Sequence, residues 1–125
     1  MTKSRFIATL ALFFVASAGF AQSIDDIPLK DLKAEYMTIT GFNRVPQTRM
    51  VIDFDYGQKS RVIDPKQAVV RDENDKKIKF ESMVDALNFM SRNGYDFVQA
   101  YAFTLGEQGV QHYLLRKRKP SANNQ

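Results

Sequence analysis

Few residues of this chain have the type and spacing that chemistry needs. His112 is its single histidine, and there is no cysteine. A lone imidazole needs a nucleophile or a carboxylate within hydrogen-bond reach, and no serine has a partner at a readable spacing. A hydrolase is not expected, the chain is read as non-enzymatic, and no catalytic residue is assigned. The enzyme reading left open joins His112 to a nearby Asp or Glu in a cleft. Two acidic groups offer oxygen ligands. Asp53 and Asp55 share one strand face, and Asp53-Phe54-Asp55-Tyr56-Gly57 resembles part of a calcium loop. It lacks the third oxygen ligand and the closing glutamate at the required distance. Asp72, Glu73 and Asp75 form a second cluster, which a solvated hairpin turn explains. With no Gly-rich phosphate loop and no histidine pair, neither metal nor cofactor is expected.

Recognition is better represented than catalysis. Tyr95 to Thr104 (YDFVQAYAFT) alternates, which puts Tyr95, Phe97, Tyr101 and Phe103 on one face with Gln99. Val98, Ala100 and Ala102 take the other. Tyrosine is amphipathic and loses little entropy on burial, so such a face suits a protein partner, a second copy or a glycan. It is the candidate interaction face. The alternative is a curled sheet whose rings close a second small core. Arg116, Lys117, Arg118 and Lys119 are a candidate contact for an anionic surface. The alternative there is a solvated strand end that blunts edge-to-edge pairing. Nucleic acid is not an expected partner. The chain carries +4, but two of its 18 basic residues lie in the first 21 positions and four in the terminal run. The remainder is slightly acidic, with no basic face interleaved with aromatics.

These residues need a scaffold, and the pattern supplies one. Glu35 to Phe42 is rich in β-branched and aromatic residues and reads as a strand. From Arg49 to Tyr56, Met50, Ile52, Phe54 and Tyr56 face one way and Val51, Asp53 and Asp55 the other. Asn43 to Gln47 connects these two. Ser60 to Ile63 is a short candidate strand. Gln67 to Arg71 and Lys76 to Phe80 flank a polar turn as a hairpin. Ser82 with Asp85 resembles a capping box, Met83, Val84, Leu87 and Met90 make a helical stripe, and Asn93-Gly94 stops it. Tyr95 to Thr104, apolar on both faces, is expected inside the sheet, and Val110 to Arg118 closes it. The expected fold class is α+β: an antiparallel sheet of four to six strands with one main helix packed on one face.

The first residues read as an address. Lys3 and Arg5 precede an apolar run from Phe6 to Val15, followed by small residues at Ala16, Ser17, Ala18, Gly19 and Ala21. This is the order of a secretory signal peptide. The run is short against the roughly 20 residues a span needs, though a retained anchor is the alternative. Cleavage after Ala18 or after Ala21 fits. The expected organisation is a signal peptide over 1–21, a linker or N-terminal segment over 22–33, an α+β domain over 34–119 and a disordered tail over 120–125. The expected location is periplasmic or secreted, with no integral membrane span after cleavage. Without disulfides, one domain of modest core must hold itself together.

The last two-thirds resembles a family of small bacterial domains of unknown function. The resemblance rests on Glu35-Tyr36 in an opening strand, Ala86-Leu87-Asn88 in a helix, Gly94-Tyr95-Asp96 with Val98 entering a strand, and Tyr113 to Arg118 in a closing one. Tyr95 stands where that plan usually has tryptophan. Asp53 to Gln58 and Phe80-Glu81-Ser82-Met83 are similar to variants in exported proteins of Gram-negative anaerobes. The resemblance implies architecture and no catalytic residues.

Overall fold

The computed structural model describes residues 21–43, 50–59 and 66–121. The expected signal peptide up to residue 20, the connection beyond Asn43, the short strand at 60–63 and the end of the tail lie outside the described residues. The described chain is α+β and mostly sheet. Its strands are β1 (Ser23–Ile24), β2 (Ile27–Pro28), β3 (Tyr36–Asn43), β4 (Met50–Asp55), β5 (Val70–Arg71), β6 (Tyr95–Leu105) and β7 (Gln108–Lys117), with one α-helix, α1 (Met83–Arg92). They form two antiparallel sheets, β4-β3-β7-β6 and the small β2-β1-β5.

In an antiparallel ladder, residues directly opposite share a face. Met37 pairs with Leu115, and Ile39 with both Phe54 and Tyr113. That face carries the core. Met37, Ile39, Phe54 and Leu115 are buried there with Met83, Ala86, Phe89 and Met90 of α1, and Met50, Ile52 and Tyr56 pack against them. The alternation in β4 is thus as its sequence predicts. Phe80 joins Phe54 and Phe89, each ring pair with centroids 5.4 Å apart. Fully burying one such side chain contributes about 1.5–3 kcal/mol.

The helix begins as expected. Ser82 Oγ accepts from the Asp85 amide at 3.1 Å, and Asp85 Oδ2 accepts from the Glu81 amide at 3.1 Å. It ends at Asn93, with Gly94 at φ +89° carrying the chain into β6. Its buried stripe is rotated from the expected one. Val84 is exposed and Leu87 half-buried, while Ala86 and Phe89 take the core positions.

Three further expectations are corrected. The stretch from Ser23 to Lys33, expected to be a linker or a loosely packed turn, seals the core through Ile24, Leu29 and Leu32. Asp25 and Asp26 both take positive φ, which builds the tight hairpin between β1 and β2. Asp25 then clamps that hairpin: Oδ1 accepts from the Val69 amide and Oδ2 from the Tyr56 hydroxyl, both at 2.8 Å. The hairpin around the 72–75 turn forms, but β5 joins β1 in the small sheet. The returning arm is held by a single bridge, Arg71 to Lys77, and the backbone bonds beside it rather than by a full strand ladder. Finally, β6 is an edge strand and β7 is central. The reason lies in β7, whose adjacent Leu114 and Leu115 face opposite sides of the sheet between β3 and β6.

Candidate interaction face and edge strand

The four aromatics of β6 do not share a face. The ladder runs in register from Tyr95↔Lys117 to Phe97↔Leu115, then resumes at Gln99↔Leu114. Val98 is the extra residue of a β-bulge, and a bulge inverts every side chain beyond it. Tyr95 and Phe97 therefore lie on the helix side, and Tyr101 and Phe103 on the open side. Tyr95 is fully buried, and its hydroxyl donates to the Ala34 carbonyl at 2.7 Å. Burial raises its pKa. It is a core residue, so the expectation of one continuous interaction face from Tyr95 to Phe103 is corrected. Phe97 is half-exposed and meets Tyr113 edge-on, with centroids 5.6 Å apart.

On the open side, the ladder aligns side chains in rows across four strands. One row is Phe103, Val110, Phe42 and Val51, wholly apolar. The next is Tyr101, His112, Thr40 and Asp53. The His112 ring stacks on both open-side aromatics of β6, at 4.7 Å from Tyr101 and 5.2 Å from Phe103. Its Nδ1 lies 3.2 Å from Thr40 Oγ1, while its buried Nε2 has no partner among the described residues. The enzyme reading required a carboxylate beside His112. The partners found are a hydroxyl and two rings.

Beyond the bulge, the free edge of β6 is apolar and neutral. Tyr101 is 48 % exposed, Phe103 43 % and Leu105 61 %, and no residue from Phe97 to Leu105 is charged at neutral pH. The opposite edge differs. Asp53 and Asp55 charge β4, and Asp53 Oδ1 accepts from the Ala68 amide at 3.0 Å, which ties the 66–69 stretch along that edge.

Three of the four basic residues in the terminal run engage their own chain. Arg116 reaches Glu35 at 3.4 Å and lies over the Tyr36 ring. The Lys117 ammonium donates to the Leu32 carbonyl. Arg118 grips Asp96 at 2.6 and 3.0 Å, and that hydrogen bond lowers the Asp96 pKa. Lys119 is exposed. With Asp96 and Val98 they line a shallow depression at the base of β6.

The acidic candidates are engaged in turns and edges. Asp55 Oδ1 accepts from the Gly57 amide at 3.0 Å, and Asp72 Oδ1 from the amides of Asn74 and Lys76. No group of three metal-ligating side chains occurs among the described residues. Sequence reasoning missed a cleft of about 560 Å³ between β4 and the 77–81 stretch, whose walls include Met50, Ile52, Phe54, Ile78 and Phe80, with Lys77 and Lys79 also lining it. The scattered apolar residues of the 76–80 stretch were its only signal. No described helix is long and apolar enough to cross a membrane. Comparison with family models, with curated proteins and with solved structures finds no match.

Proposed function

We propose that this chain is an exported, non-enzymatic interaction module that works through β6 and the open side of its main sheet. The signal-peptide pattern of the first residues supports export. The observation that carries the reading is the exposed, uncharged edge of β6 bearing Tyr101, Phe103 and Leu105. Exposed apolar patches of this kind mark interaction surfaces. The test is the double variant Tyr101→Ser/Phe103→Ser. It is expected to keep its fold by circular dichroism and lose association by light scattering. Global unfolding would show the rings to be core and would sink the reading.

A second reading, a carrier of a small ligand, is favoured by the cleft beside β4. A lining that mixes apolar side chains with Lys77, Lys79 and Glu81 suits a small amphipathic ligand. A glycan would instead stack on the open-side rings. Tyrosine fluorescence titrated with a fatty-acid series and a glycan panel separates these ligands; no change with either removes the carrier reading.

A further inference from the structure

We propose that the partner of β6 is a second copy of this chain, paired antiparallel edge to edge about a two-fold axis at Ala102. The proposal rests on β6 being the interaction surface and adds the partner and the register.

The backbone sets the register. Gly106, at φ +62°, and Glu107 form a two-residue turn closed by the pair Leu105↔Gln108. The pair that closes a two-residue hairpin is of the hydrogen-bonded type, which aims the Leu105 polar groups at β7. Polar groups alternate along a strand, so those of Ala100, Ala102 and Thr104 point away from the sheet. Only an antiparallel self-pairing that sets Ala102 opposite Ala102 lets Ala100 and Thr104 exchange partners at the same time. The small side chains of Ala100, Ala102 and Thr104 share the helix side, where they leave room for the second strand. On the open side, Tyr101 falls opposite Phe103 of the second copy in the closer, non-hydrogen-bonded type of pair. The ring stack on His112 then continues across the axis.

Charge agrees with this register. No like charges meet, because the segment from Gln99 to Leu105 has none. The same register carries Glu107 of the second copy to the level of Phe97. There it is about 10 Å, two strand spacings, from Arg116 and the depression that Arg118 and Lys119 also line. Glu107 of each copy thus stands on the side of the basic strand end of the other, a long-range complement to pairs that Arg116 and Arg118 already make within their own chain. Edges are commonly guarded by Lys, Pro or bulges. Here β6 has neither Lys nor Pro, and its bulge at Val98 leaves seven regular residues beyond it. The β4 edge is charged and covered, so pairing stops at two copies.

The absence of native cysteine permits a direct test. In Ala102→Cys the two Cα atoms stand about 5.5 Å apart across the axis, inside the disulfide range of about 4.4–6.8 Å. In Thr104→Cys they stand about 14 Å apart. Mild oxidation of the purified protein is expected to cross-link the first into a dimer and leave the second monomeric. Ala102→Pro removes an outward amide that the monomer does not use, a place where an edge strand tolerates proline. It is expected to keep its thermal transition and to dimerise at least about 10-fold more weakly by sedimentation. A wild type that stays monomeric at every concentration, or equal cross-linking at positions 102 and 104, overturns the proposal. Association lost in the Tyr101→Ser/Phe103→Ser variant but untouched by Ala102→Pro overturns the edge pairing alone and leaves the interaction reading standing.

Discussion

The two sides of the four-stranded sheet are made by the same strands, and one of them is sealed over all but its β6 edge, where Phe97 stays half-exposed. On the helix side, Met37, Ile39, Phe54, Tyr95 and Leu115 are almost wholly buried under α1 and the N-terminal hairpin. On the open side, Tyr36, Tyr101 and Phe103 keep close to half their surface in water. The difference is not one of composition, since both sides carry large apolar rings. It is one of supply. A single helix of ten residues and the segment before β3 cover one side, and no described helix lies over the other. A large ring left half-exposed forgoes burial that a partner can still provide. The sealed side is therefore the source of stability, and the open side is the surface on which the proposed recognition rests.

The sharpest way to break that contrast is to truncate one residue on each side and compare. Leu115→Ala is expected to cost about 2–5 kcal/mol in urea unfolding, because a buried leucine leaves both lost transfer energy and a cavity. Tyr101→Ser is expected to cost about 1 kcal/mol or less in the monomer. Equal losses would mean the open side is a second core. Next comes the N-terminal hairpin. Ile24→Ala, at a fully buried position, is expected to cost about 2–4 kcal/mol. A loss near zero would return the 22–33 segment to the role of a linker and leave part of the sealed side unexplained.

The two tyrosines of β6 sharpen the same contrast at smaller scale. Tyr95→Phe removes a buried hydrogen bond to Ala34 and is expected to cost about 0.5–1.5 kcal/mol, while Tyr101→Phe stays within about 0.5 kcal/mol. Burial raises the Tyr95 pKa, so well below pH 10 the hydroxyl is neutral in both folded and unfolded chains. Above about pH 10 the unfolded chain gains stability by releasing that proton, and the fold loses it. Chemical unfolding from pH 8 to pH 11 is expected to show this decline in wild type and a shallower one in Tyr95→Phe. Parallel curves would mean Tyr95 ionises freely and is not sealed.

How much of this was legible follows from which signals are local. The alternation in β4 and the caps at Ser82 and Gly94 are written in neighbouring residues, and the strand and helix they specify form. The hairpin at Asp25-Asp26 was not legible, because two aspartates in the left-handed region lack the Asn-Gly signature of such turns. The buried stripe of α1 was misplaced because Val84 fits the period as well as Ala86, and only the position of the sheet, β3 and β6 together, decides between them. The bulge at Val98 was invisible for a stronger reason. Strict alternation predicts one face for Tyr95, Phe97, Tyr101 and Phe103, and one inserted residue divides them. The apolar row of Phe103, Val110, Phe42 and Val51 depends on pairing register across four strands, which no single stretch encodes.

The weakest effect tests whether the base of β6 is fixed by charge, as its free end is not. Arg118 holds Asp96 at 2.6 Å, and this hydrogen bond is the main reason the Asp96 carboxyl titrates below its usual range. A carboxylate whose pKa is lower in the folded chain adds stability that is complete at neutral pH. That contribution starts to fall once the pH drops below the ordinary aspartate value of about 3.9, and it is gone when folded Asp96 itself takes a proton. Both side chains are about half-exposed, so salt and water screen the pair and the effect is smaller than any above. Asp96→Asn is expected to melt slightly below wild type at pH 6 and to match it at pH 2. A gap that persists at pH 2 would mean the aspartate acts through its shape and its backbone position at the bulge. The base of β6 would then be held as its free end is, by packing and pairing alone.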